Sequence, residues 1–208
     1  MLGCGGGRFG TSVPEPGGEI LLLGCEGAGK TLLCRQLERL CAGNGTADEC
    51  NTSTVPSIGT ELLTLRCGKR AAAVREVGGA MRAVWGRYYS ACAACAFVAD
   101  VSNLASAGSA VVEWYALLSE PSLGGKPLLL ILNQVDRNGA LTMATLRQLF
   151  RLAECTEAEG GRVKVVAVSA RTCEGVTAVR NWLMDGGQLR RDDGGQRRAA
   201  LRRGVANN

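Results

Sequence analysis

The run Gly24-Cys25-Glu26-Gly27-Ala28-Gly29-Lys30-Thr31 constrains this chain more than any other feature. It fits G-x-x-x-x-G-K-T, and its flanks supply the setting that motif requires. The preceding Glu19-Ile20-Leu21-Leu22-Leu23 is short, apolar and bounded by glycine, as a buried parallel strand is. The following Leu32-Leu33-Cys34-Arg35-Gln36-Leu37-Glu38-Arg39-Leu40 repeats apolar residues at helical spacing. A strand, a glycine-rich turn and a helix N-terminus together make an anion cradle. Successive N–H groups face the phosphate oxygens, and the helix end adds partial positive charge. Glu26, Gly27, Ala28, Gly29 and Leu32 then surround the phosphates. Lys30 reaches the β- and γ-phosphates, and the Thr31 hydroxyl takes Mg²⁺.

Such a loop leaves kinases, ATPases and GTPases open, and base recognition narrows them. Pro127-Leu128-Leu129-Leu130-Ile131-Leu132 reads as another buried strand and runs into Asn133-Gln134-Val135-Asp136. An aspartate carboxylate accepts two parallel hydrogen bonds from guanine N1–H and N2–H₂, whereas adenine N1 is an acceptor and is repelled. A site built on that pairing discriminates steeply, because the wrong base leaves buried polar groups unpaired. Asn133 is placed to hold the base edge and brace the phosphate loop. Val163-Lys164-Val165-Val166-Ala167-Val168 is a further strand, ending in Ser169-Ala170-Arg171, where the Ala170 N–H can donate to guanine O6. Each group follows a buried strand, in the order a nucleotide site needs.

Strands are expected near Glu19–Leu23, Glu61–Arg66, Ala71–Arg75, Ala94–Asp100, Leu128–Leu132 and Val163–Val168. The second and third form a hairpin around Cys67-Gly68-Lys69-Arg70. Helices are expected after Lys30, Ala107, Leu141 and Gly175. This alternation implies an α/β fold: a six-stranded, mostly parallel sheet with one antiparallel edge strand and helices on both faces. Its ligand loops lie at the strand C-termini.

The 208 residues fit one or at most two domains, and 46% apolar content is adequate for a core. No apolar run approaches the ~20 residues that span a bilayer. Ten cysteines are scattered, with no secretory signal ahead of them, so they are expected to be reduced thiols of a cytoplasmic protein. Cys92 and Cys95 form a C-x-x-C, but no second pair stands at zinc spacing and the chain has no histidine. Small buried residues beside a strand explain them better than a metal does.

With these motifs in hand, the chain resembles the small GTPases of the Arf-like group over about residues 19 to 185. The phosphate loop with Glu26 and Ala28 is similar to that group's G-x-D-x-A-G-K-T; Val55-Pro56-Ser57-Ile58-Gly59 resembles its P-T-I-G switch I. Arg75-Glu76-Val77-Gly78-Gly79 resembles W-D-x-G-G of switch II, and Trp85-Gly86-Arg87-Tyr88-Tyr89 resembles W-x-x-Y-F. The resemblance implies a P-loop GTPase domain binding GTP/GDP with Mg²⁺. Thr31, Ser57 and Glu76 are then the metal residues, Lys30 and Gly79 the catalytic ones, and Ser57, Gly79, Asn133, Gln134, Asp136, Ser169, Ala170 and Arg171 join the phosphate loop around the nucleotide. It implies a switch with an effector that reads its GTP state, an exchange factor and an activating protein. A monomer without DNA contact is expected, its membrane contact at most peripheral through a basic tail.

The departures matter as much. Glu76 replaces an aspartate, adding a methylene to the carboxylate that holds Mg²⁺. Ser57 replaces a threonine but keeps its hydroxyl, and Gln134 replaces the lysine that covers the ribose side of the base. The glutamine that orients the attacking water is Ala80, and switch II is two residues shorter between Gly79 and Trp85. Positioning is most of phosphoryl-transfer catalysis, so slow intrinsic hydrolysis is expected. A GTP-bound scaffold that rarely hydrolyses is the alternative. A P-loop kinase or ATPase is disfavoured by Asn133 and Asp136. Thr60 and Arg75 fall at two positions of the group's aromatic effector triad, leaving Tyr88 as its aromatic; the alternative for Arg75 is a structural role, its stem laid over Trp85. Outside the domain, residues 1–18 are glycine-rich and expected to be disordered, and Leu2 replaces the glycine that the group myristoylates. The arginine-rich segment 186–208 is expected to be a disordered basic tail.

Overall fold

All five residues of β1 (Ile20–Gly24) are buried. Ile20 and Leu22 face one apolar cluster, Leu21 and Leu23 the other. A strand covered on both faces requires a continuous apolar run rather than alternation, and this is the sequence found there. The computed structural model describes residues 18–43 and 59–187. Ser57 with its switch I neighbours, residues 1–17 and the tail from 188 lie outside the described residues.

The other strands are β2 (Thr60–Cys67), β3 (Arg70–Val77), β4 (Ala94–Asp100), β5 (Leu128–Asn133) and β6 (Val163–Val168). They form one six-stranded sheet in the order β2-β3-β1-β4-β5-β6. Every neighbouring pair is parallel except β2 with β3, which pair antiparallel from Thr60↔Val77 to Cys67↔Arg70. The hairpin turn is Gly68-Lys69, with Gly68 at φ 60°. Sequence order reverses on either side of β1, so the loop after β1 opens at the switch point where open α/β sheets bind ligands.

The helices are α1 (Lys30–Cys41), α2 (Gly86–Tyr89), α3 (Leu104–Leu118), α4 (Met143–Leu149), α5 (Leu152–Ala158) and α6 (Val176–Met184). On one face Leu33 and Leu37 of α1 pack with Val179, Trp182 and Leu183 of α6 over β1 and β3. On the other, Phe97 of β4 lies between Trp85 and Trp114, at ring separations of 6.3 and 6.2 Å. α3 begins at Leu104, three residues before Ala107, because the Asn103 side chain caps it by accepting from Ser106 N. After Leu141 the structure has two helices where one was expected. Thr142 caps α4, and Arg151 then turns into the left-handed region (φ 44°), which ends one helix and starts the next. Neither Gly nor Pro marks that break. Buried Phe150 and the Arg151–Glu154 ion pair accompany it.

The cysteines require a correction. Cys41, the last residue of α1, and Cys67, the last of β2, form a disulfide with their α-carbons 4.6 Å apart. Helix and strand end side by side, which sequence spacing does not reveal. Cys92 and Cys95 are free thiols, both buried, and burial pushes both up. Among the described residues no helix is long and apolar enough to cross a membrane.

Candidate functional site

The loop after β1 is held by side chains from distant strands. Asn133, at the end of β5 and 1% exposed, donates from Nδ2 to Ala28 O (2.8 Å) and accepts at Oδ1 from Ala170 N (3.0 Å). One amide thus ties together the loops after β1, β5 and β6. The Ala170 N–H, expected to face guanine O6, is engaged by Asn133 instead. Gln134, with φ 70°, donates from Nε2 to Gly27 O (2.9 Å) and adds a second tie. Gly29 lies at φ 86°, and a β-carbon there would stand 2.5 Å from Asn133 Nδ2, so the loop needs glycine at that point.

Lys30 is buried, and its ammonium donates to Gly24 O (2.8 Å) and Cys25 O (3.0 Å). Burial pushes its pKa down, and the Glu76 carboxylate opposes that shift. These carbonyls hold the cation at the mouth of the loop, ready for anionic oxygens.

Thr31 Oγ1 donates to Glu76 Oε1 at 2.7 Å, joining α1 to β3. The other oxygen, Oε2, is buried and has no hydrogen-bond partner among the described residues. Cys34, one turn along α1 from Thr31, is a buried thiol pushed well up, first by burial and then by the Glu76 charge. A hydroxyl and a carboxylate with spare acceptor capacity, beside a phosphate cradle, suit Mg²⁺, which takes few protein ligands and completes its shell with phosphate and water. The extra methylene of Glu76 does not prevent the carboxylate from meeting Thr31.

Beyond the loop lies a cavity of about 300 Å³ lined by Gly27, Gly29, Leu32, Asn133, Gln134, Asp136, Arg137, Ala170 and Arg171. Sequence reasoning brought eight of these nine toward one nucleotide and missed Arg137, whose place beside Asp136 was the available signal. Ser169 does not line it. That residue is fully buried, donates from its N–H to Glu174 O and accepts at Oγ from Thr172 N, and so shapes the turn that presents Ala170 and Arg171.

Gly79 packs against the backbone of Cys25 and Glu26. It opens a 3₁₀ segment, Gly79–Val84, in which Ala80 is exposed. Two residues on, Arg82 pairs with Glu113 of α3, an ion pair that sequence reasoning missed for lack of any local signal. Arg75 is engaged by Glu19 and Tyr88. Its guanidinium pairs with Glu19 through Nε–Oε2 (2.6 Å) and Nη2–Oε1 (2.9 Å) and sits 5.8 Å from the Tyr88 ring centroid. Trp85 is buried and donates from Nε1 to Gly78 O.

A model of the ADP-ribosylation factor family matches residues 13–186. The chain belongs to that family. It is 31% identical over 186 residues to human ADP-ribosylation factor-like protein 16, covering 86% of this chain and 94% of that one. It is 33% identical over 168 residues to ADP-ribosylation factor-like protein 1 of Saccharomyces cerevisiae, covering 80% and 85%. The fold is that of the Arl6 small GTPase from Trypanosoma brucei, solved with the nucleotide analogue GppNp. That match has a TM-score of 0.66 at 23% identity and covers 81% of this chain and 96% of the other. This Arf-family chain is therefore a small GTPase, a nucleotide-binding switch of a family that hydrolyses GTP.

Proposed function

We propose that this Arf-family chain is a guanine-specific switch that hydrolyses GTP slowly when unaided and recruits partners in its GTP state. The observation that carries this is the single cavity formed by the phosphate loop, Asp136 and the Ala170-Arg171 turn, knit together by Asn133. Asp136 accepts guanine N1–H and N2–H₂. Asn133 and Ala170 act as one brace, Gln134 holds Gly27, and Leu32 closes the apolar side. Lys30 turns from the Gly24 and Cys25 carbonyls to the β- and γ-phosphate oxygens. Thr31, Glu76 and Ser57 would hold Mg²⁺, which would supply charge neutralisation for the transferring phosphoryl group. Gly79 brings switch II against the loop beside the γ-phosphate.

Hydrolysis needs a water oriented for in-line attack, and Ala80 can neither donate nor accept a hydrogen bond. Turnover is expected at or below about 10⁻⁴ per second. A partner that supplies polar groups would complete the site. The second reading, a GTP-bound scaffold, is favoured by this same residue. The effector face is more polar than the family's: Thr60 is exposed and the Arg75 charge is already satisfied by Glu19. We place dedicated effectors there rather than ordinary Arf effectors.

Identifying the co-purifying nucleotide tests the reading. GTP points to the scaffold and GDP to a cycling switch, while ATP would remove the guanine assignment. Asp136→Ala should abolish a guanine-over-adenine preference on the order of 10⁴-fold.

A further inference from the structure

The Asp136 carboxylate, on which the guanine reading above rests, already has a cationic neighbour. Arg171 Nε lies 3.0 Å from Asp136 Oδ2, and both residues line the same cavity. The carboxylate side chain is 13% exposed and the arginine 69%, so a fixed acceptor faces a donor that is free to swing into solvent. The chemistry of the pair is specific. Guanine's N1–H and N2–H₂ converge on C2 as a guanidine fragment, and an arginine side chain ends in a guanidinium. Asp136 is acceptor-only when ionised, so the resident cation and the ligand compete for the same carboxylate. Among the described residues Arg171 is the cation paired with Asp136, although Arg137 lines the same cavity. Gln134 is uncharged and its amide nitrogen is held by Gly27 O, while the Lys30 ammonium is held by Gly24 O and Cys25 O.

We propose that Arg171 sets the guanine affinity of this site as an internal competitor: its guanidinium must leave Asp136 before the base can dock. The binding-competent fraction is then the fraction with the pair open. Apparent affinity falls by that fraction, and the loss appears in the association rate, because once the base is seated the arginine lies in solvent. A largely exposed ion pair is worth about a twofold to fivefold bias. The function differs in sign from base packing, since an arginine that merely covered the base would strengthen binding.

The test is stopped-flow association and dissociation of a fluorescent GDP analogue with the full chain, stripped of nucleotide, over a salt series. Arg171→Ala should associate about three to six times faster than the parent, with an unchanged dissociation rate. The gain should shrink as salt rises from about 0.05 to 0.5 M, where the pair is screened. Arg171→Lys, which keeps the charge but not the planar fork, should fall between the two. An unchanged association rate, or faster dissociation in Arg171→Ala, overturns the inference while leaving the guanine site standing. Failure of the parent to bind the analogue at all overturns the guanine reading, and this inference with it.

Discussion

Gly79 and Glu26 touch through their backbones: a β-carbon on Gly79 would stand 2.3 Å from the Glu26 amide nitrogen and 2.7 Å from its α-carbon. Backbone cannot give way as the end of a flexible side chain can. Gly79→Ala must therefore push switch II off the phosphate loop. We expect this variant to lose GTP-analogue affinity by about tenfold or more, the scale of a lost charge-assisted contact, with a smaller loss for GDP. Equal losses for both nucleotides, read by equilibrium titration, would contradict a γ-phosphate role for Gly79.

Asn133 offers a second expectation, on stability. Replacing it by alanine strands the Ala28 carbonyl and the Ala170 N–H in the interior, both partners of its buried amide. Each unsatisfied buried group costs about 1–3 kcal/mol, so Asn133→Ala should lower the unfolding free energy by about 2–6 kcal/mol. Urea titration with nucleotide absent checks this, since bound ligand would add its own stabilisation.

Reduction of Cys41–Cys67 should also destabilise the domain. The bridge closes a sequence separation of 26, for which the chain-entropy estimate is about 3–4 kcal/mol. The melting temperature should fall in a dithiol reductant, and Cys41→Ser should match reduced parent protein with no further response to reductant. No difference between oxidised and reduced melts would show that the bridge does not stabilise the domain.

Arg75 and Glu19 give a pH expectation. The Arg75 hydrogen bond holds the Glu19 carboxyl below its ordinary value of 4.5. A lowered folded-state pKa means that the stabilisation is present above the ordinary value and is lost as pH falls through the folded one. Glu19 is 40% exposed at its side chain, so screening limits the pair to about 0.2–1 kcal/mol. Arg75→Ala should lose that much at neutral pH and almost nothing in acid, as read from denaturation midpoints across pH.

Ala80 yields a kinetic expectation. It is exposed at the start of the 3₁₀ segment, so a longer side chain meets no packing there. Ala80→Gln should raise single-turnover hydrolysis above the parent rate. Unaided parent turnover near 10⁻² per second, about a hundredfold above expectation, would require another catalytic residue.

The sheet, the phosphate loop and most of the residues that line the cavity beside it were legible along the chain. These features are local: an apolar run of strand length, a glycine pattern that lets backbone wrap an anion, and polar residues set just past strand ends. Periodicity and spacing along the chain carry such information directly. The rest depends on the folded chain, which brings together side chains far apart in sequence. It gave the Ala170 N–H to Asn133, Arg75 to Glu19 and Tyr88, Arg82 to Glu113, Cys41 to Cys67, and Arg171 to Asp136. The break at Arg151 belongs with these, since no residue there announces a left-handed turn. A donor, a thiol or a charge has several acceptable partners, and the sequence names the group without naming the partner. Packing around the sheet chooses, by fixing which ends come within about 3 Å of each other.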